Sequence, residues 1–132
     1  MGRAILMGII LLVLLSGCSK DKSANNNCQG NCSAISFKAD IVPIFTANCA
    51  LSGCHNNSTS ANRHVELDSA KAYASATQPG TGYVVAGDPN ASILLGQLYA
   101  GVSNHMPNNG QQLDACSIQK ISCWIQQGAL NN

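Results

Sequence analysis

The sequence predicts an all-α fold: one small domain of about four short helices. Three observations lead there. Beyond residue 36, apolar side chains recur at helical spacing, as in Ile41, Ile44 and Phe45, then Leu94, Leu95 and Leu98, then Ile118, Ile121 and Ile125. Four of the six acidic residues, Asp40, Asp68, Asp88 and Asp114, stand at the head of such segments, where a carboxylate caps exposed N–H groups. Turn-forming stretches, Gln78 to Gly82 and Gly101 to Gly110, separate the segments. With those carboxylates used as caps, no pair remains for acid–base catalysis, which argues against a hydrolase.

In chain order, residues 1–17 read as a bacterial export signal. Met1-Gly2-Arg3 gives a positive start, and Ile5 to Leu15 is an apolar run broken only by Gly8, too short for a comfortable permanent span. Leu15-Ser16-Gly17-Cys18 resembles the lipobox of bacterial lipoproteins, which implies cleavage before Cys18 and acylation of that residue. Two or more acyl chains anchor a protein stably. The plainer alternative is a secreted protein with a stray cysteine. Residues 18–36 then form a polar, turn-prone tether carrying Cys28 and Cys32. Its Ser-Lys-Asp start resembles signals that send some lipoproteins to the cell surface. The expected location is the envelope, lipid-anchored at the outer membrane, on its periplasmic side or at the cell surface.

The folded domain is expected over 37–132. Asp40 caps the first helix, with Pro43 in its first turn, where a missing N–H is harmless. Ile41, Ile44, Phe45 and Asn48 form its inner face, and the helix runs straight into Cys49. After a polar loop, Asn56 to Asn62, a short extended piece from His64 to Leu67 leads to Asp68 and a brief helix with Ala70, Tyr73 and Ala74 inward. Tyr83, Val84 and Val85 are apolar enough to line a pocket. Asp88-Pro89 begins a third helix with Ala91, Leu94, Leu95, Leu98 and Tyr99 on its stripe. Asp114 caps the last helix, which runs to about Gln127 and stops at Gly128.

Cys49-Ala50-Leu51-Ser52-Gly53-Cys54-His55 is the chemically richest stretch. Two cysteines followed at once by histidine is the arrangement that attaches a c-type haem, each thiol adding to a porphyrin vinyl group and the histidine binding iron. The cysteines enclose four residues here where two is usual, and Gly53 supplies the positive-φ freedom to absorb the longer spacer. A disulfide between Cys49 and Cys54, or a zinc site with His55, are the competing readings, although structural zinc wants four protein ligands.

An exported chain meets an oxidising compartment. Of seven cysteines, Cys18 takes lipid and Cys49 with Cys54 take haem, which leaves Cys28, Cys32, Cys116 and Cys123 for two bridges. Cys116 and Cys123 are about 10 Å apart along a helix, too far to join each other. Cys28 and Cys32 span a similar distance if extended. Two bridges should therefore strap the N-terminal segment along the outer side of the last helix, with the pairing undecided.

A six-coordinate haem needs a ligand opposite His55, and Met106 is the candidate; His105 and His64 are rivals, and an open iron is the third option. Only 10% of residues are charged, with seven basic and six acidic side chains and no phosphate loop or basic patch, so nucleic acid is not an expected partner.

Together, Asp40-Ile41-x-Pro43-Ile44-Phe45, Cys54-His55, Gly87-Asp88-Pro89-x-x-Ser92-x-Leu94, Met106-Pro107-x-x-Gly110 and Trp124-Ile125-x-x-Gly128-Ala129 resemble the small cytochrome c domains of bacterial envelope lipoproteins, most of all the planctomycete type. The resemblance covers about residues 37 to 130. It implies a class I-like cytochrome c fold, with first and last helices packed together around one haem held by Cys49 and Cys54 and ligated by His55 and Met106. It departs in the spacer, in Asn108 where a second proline is frequent, and in the extra cysteines. The function expected is one-electron transfer between envelope redox donor and acceptor proteins, by a carrier and not an enzyme. The alternatives are a haem-free, disulfide-stapled structural or binding lipoprotein, and a haem peroxidase or gas-binding protein with an open distal site.

Overall fold

The computed structural model describes residues 32–56, 65–99, 101–108 and 111–132. The first helix opens as a π turn, Phe37–Ile41, and continues as α1, Val42–Asn48. Then come α2, Ala72–Ala76, α3, Ile93–Gln97, and α4, Ala115–Gln126. Among the described residues there is no strand, as an all-α fold requires. No described helix is long and apolar enough to cross a membrane.

The first helix starts earlier than the sequence suggests. Ser36 is its cap: the Ser36 hydroxyl accepts from the Ala39 N–H at 3.2 Å, and Asp40 reaches back to accept from the Ser36 N–H at 3.1 Å. Asp40 thus sits inside the first turn and completes a reciprocal cap. The Val42 N–H bonds the Phe37 carbonyl five residues back, and Pro43, which has no N–H to donate, follows at the start of α1. Ile41 and Phe45 are fully buried on the expected face.

Two inner faces differ from expectation. Asp68 caps a turn ahead of α2, accepting from the Lys71 N–H at 3.2 Å. The helix therefore begins later, and Ala72 and Ala76 are buried while Ala70 and Ala74 are exposed. Similarly, Asp88 caps a turn, accepting from the Ala91 N–H at 3.0 Å, and α3 begins after Ser92. Leu95 and Leu98 are buried and Leu94 half-buried, but Ala91 is exposed and Tyr99 is 50% exposed. Ser92 is 2% exposed, and its hydroxyl accepts from the Val85 N–H at 2.9 Å and donates to the Asp88 carbonyl at 2.8 Å.

α4 follows its sequence signals closely. Asp114 accepts from the Ser117 N–H at 2.9 Å and from the Ser117 hydroxyl at 2.6 Å. At the far end Gly128 takes φ +96°, the Gly128 N–H bonds the Ile125 carbonyl at 3.0 Å and the Ala129 N–H bonds the Trp124 carbonyl at 2.9 Å. That pair of bonds is the Schellman closure. Ile118, Ile121 and Ile125 are buried together.

The opening π turn packs on α4. Phe37 lies 5.1 Å from Trp124 between ring centroids and meets Tyr73 and Phe45 edge-on at 5.2 and 6.3 Å. Buried aromatic polar tips find carbonyls: the Trp124 indole N–H donates to Leu130 at 2.9 Å and the Tyr73 hydroxyl to Ala129 at 3.0 Å. Lys120 on α4 pairs with Asp40 at 3.0 Å.

Residues 32–36 are held against this unit. Cys32 is joined to Cys123, whose side chain is 1% exposed beneath the strap. The Gln127 amide accepts from the Ile35 N–H and donates to the carbonyls of Cys32 and Ser33, and Asn132 clasps Ile35 to Lys38 through main-chain and side-chain bonds. Cys116 is also disulfide-bonded, with its partner outside the described residues, as are Cys28 and Cys18.

Candidate functional site

α1 ends where the chemistry begins. Both the Cys49 and the Ala50 N–H groups bond the Phe45 carbonyl at 2.8 Å, which stops the helix at Asn48. The chain then makes a tight loop: the Cys54 N–H bonds the Leu51 carbonyl at 2.9 Å, Gly53 adopts φ +82°, and the His55 N–H returns to the Cys49 carbonyl at 3.1 Å. A side chain at φ +82° would be strained, so Gly53 is what lets four residues fit between the cysteines. The closure sets His55 beside Cys49.

His55 is oriented by a second contact. Its Nδ1 lies 3.1 Å from the Val65 carbonyl, and the Leu67 N–H bonds the His55 carbonyl at 2.7 Å. A carbonyl only accepts, so Nδ1 is a protonated nitrogen in this contact. This is the arrangement that fixes a metal-binding imidazole in tautomer and ring orientation.

The loop after α3 brings Met106 to the cavity that His55 lines. Its N–H bonds the Gln97 carbonyl at the end of α3 at 2.8 Å. Cys49, Cys54, His55 and Met106 all line one cavity of about 390 Å³. That volume falls in the range of small-molecule and cofactor sites. Leu51, Val65, Leu67, Ala76, Ile93, Leu94 and Leu98 make most of its wall, Asn48, Gln97 and Asn108 add amides, and no Lys, Arg, Asp or Glu is among its described lining residues. Of the three residues expected to line a pocket, Tyr83 does so, whereas Val84 packs against the core and Val85 is absent from the wall. The chain has no match among protein-family models, curated proteins or solved structures.

Neither Cys49 nor Cys54 takes part in a disulfide. Burial pushes the Cys49 thiol up to about 11, with the neighbouring Cys54 adding to the effect, so Cys49 is a neutral S–H at physiological pH. Among the described residues, no group of three or more His, Cys, Asp or Glu side chains converges as a metal site. His105 is not part of the cavity wall, although its Nε2 is buried without a partner; His64 lies outside the described residues.

The donor set fits a covalently held haem. Cys49, Cys54, His55 and Met106 line one largely apolar cavity, and the Val65 carbonyl accepts from the His55 Nδ1–H. The sequence did not single out Gln97, Val65 or Leu67 for this site. Gln97 had a legible signal, lying one turn beyond Leu94 on α3; Val65 and Leu67 had only their place in the extended piece after His64.

Proposed function

We propose that the protein is a monohaem c-type cytochrome lipoprotein that carries single electrons in the bacterial cell envelope. The observation that carries this reading is the convergence of Cys49, Cys54, His55 and Met106 on one apolar cavity, from segments about fifty residues apart in sequence. The packing of the first helix on α4 through Phe37 and Trp124 is in keeping with a class I-like cytochrome c fold.

When bound, the haem iron supplies the one-electron change between ferric and ferrous states. Cys49 and Cys54 would hold the ring through thioether links to its two vinyl positions. His55 presents Nε2 while Val65 keeps its Nδ1 proton in place. Met106 offers a soft thioether, which favours the ferrous state and a higher potential. The largely aliphatic wall disfavours added charge, which acts in the same direction. Lipid on Cys18 would hold the domain at the outer membrane or cell surface, within reach of redox donor and acceptor proteins.

The test is the absorption spectrum of protein made with a cytochrome c maturation system. Sharp bands on reduction support the reading, and a weak long-wavelength band in the oxidised form marks the thioether–iron bond. Colourless protein with a Cys49–Cys54 disulfide supports the haem-free structural alternative. Coloured protein lacking the thioether band supports an open site of the peroxidase or gas-binding kind.

A further inference from the structure

Gln97 is the last residue of α3, and three observations at it need a common cause. Its main-chain carbonyl, one of those a helix end leaves without an internal partner, holds the Met106 N–H at 2.8 Å. Gln97 lines the same cavity as Met106. Its Oε1 is buried with no hydrogen-bond partner. Leaving a buried amide oxygen unpaired costs about 1–3 kcal/mol. Leu94, one turn earlier, shows that an aliphatic side chain suits this wall.

We propose that the Gln97 amide is a positioning group for the Met106 side of the haem, presenting an N–H to the acceptor atoms there and holding the reduction potential up. The inference rests on the haem reading above. The two ends of a carboxamide have nearly the same outline, so a half-turn exchanges oxygen for N–H with little change in packing. The acceptors of a haem site, the free lone pair of the thioether sulfur and the ring carboxylates, select the N–H end. An N–H directed at them places the positive end of a dipole near the iron, which favours the electron-richer ferrous state. Because the carbonyl that registers Met106 belongs to the main chain, side-chain substitution leaves that bond in place. The amide is therefore tested separately from the position of the loop.

The experiment measures reduction potentials of matured wild type, Gln97→Leu and Gln97→Ile. Both variants should keep covalent haem and the thioether band, and both should favour the oxidised form about tenfold more than wild type, about 59 mV for one electron. Gln97→Ile is also neutral and also lacks an N–H, and it carries the test if Gln97→Leu fails to accumulate. A potential within twofold of wild type in equilibrium terms, or a higher one, overturns the inference and leaves the cytochrome reading standing. A wild-type protein without covalent haem overturns both.

Discussion

Removing the Cys32–Cys123 bridge should destabilise the domain without altering its cavity. The two residues are 91 positions apart, so the bridge closes nearly the whole folded chain into one loop. In the chain-entropy treatment a loop of that length is worth about 4.6 kcal/mol, and measured bridges give about 2–4 kcal/mol. Cys116 is also bridged, so part of the unfolded chain stays confined when this crosslink is removed, and the lower half of that range is expected. Replacing Cys32 by Ser and Cys123 by Ala together leaves no stray thiol to mispair with Cys49 or Cys54. Denaturant unfolding of the matured protein should then show a loss of about 2–3 kcal/mol, or a drop in midpoint temperature of roughly 10–20 °C for a domain of this size. No residue of α4 lines the cavity, so the visible spectrum of the folded variant should match that of wild type. A loss below about 0.5 kcal/mol would show that the N-terminal strap lies outside the cooperative unit. A changed spectrum would refute the separation between strap and site.

Ser92→Ala leaves the part-buried Val85 N–H without its acceptor and should cost about 1 kcal/mol by thermal or denaturant melting. Asp114→Ala removes the cap of α4 and should cost about 1 kcal/mol. The Ser117 hydroxyl and N–H hold the Asp114 carboxyl below its ordinary value; burial alone would raise Asp40, but the Ser36 N–H and the Lys120 ammonium outweigh it and lower it. Both groups bind protons less readily when folded, so their contribution is complete above the ordinary carboxylate range near pH 4 and is lost as pH falls through the folded values. Stability measured from pH 6 down to pH 3 should therefore decline less steeply in the Asp114→Ala variant than in wild type. Met106→Leu should keep the covalent haem while abolishing the long-wavelength band; a persistent band means that another residue binds the iron.

What the sequence made legible was local. α4 could be read from Asp114 at one end and Gly128 at the other, because cap and Schellman chemistry depend on residues within one turn. The strained loop at Cys49 to His55 was readable for the same reason, since only Gly53 suits its positive φ. Errors arose where one residue type serves two local structures. Asp68 and Asp88 cap turns that precede α2 and α3, so helices drawn from them began too early and the inner faces of Ala70, Ala74 and Ala91 were misassigned. Asp40 was read as a cap when it is the back-bonding partner of Ser36. The choice of Cys123 for Cys32 depends on how the tether lies along α4, which spacing alone leaves open. The presence of Met106 and His55 on one cavity is likewise a property of packing between distant segments, and neither the Val65 contact nor the orphaned Gln97 amide has a local signature.

The account stands or falls on a covalent bond between this chain and an iron porphyrin. Intact mass of the matured, purified and fully denatured protein measures it directly. The account predicts the polypeptide mass increased by one haem, with Cys49 and Cys54 resistant to alkylation after reduction. A polypeptide mass with no such addition, and with both cysteines alkylated after reduction, would contradict it.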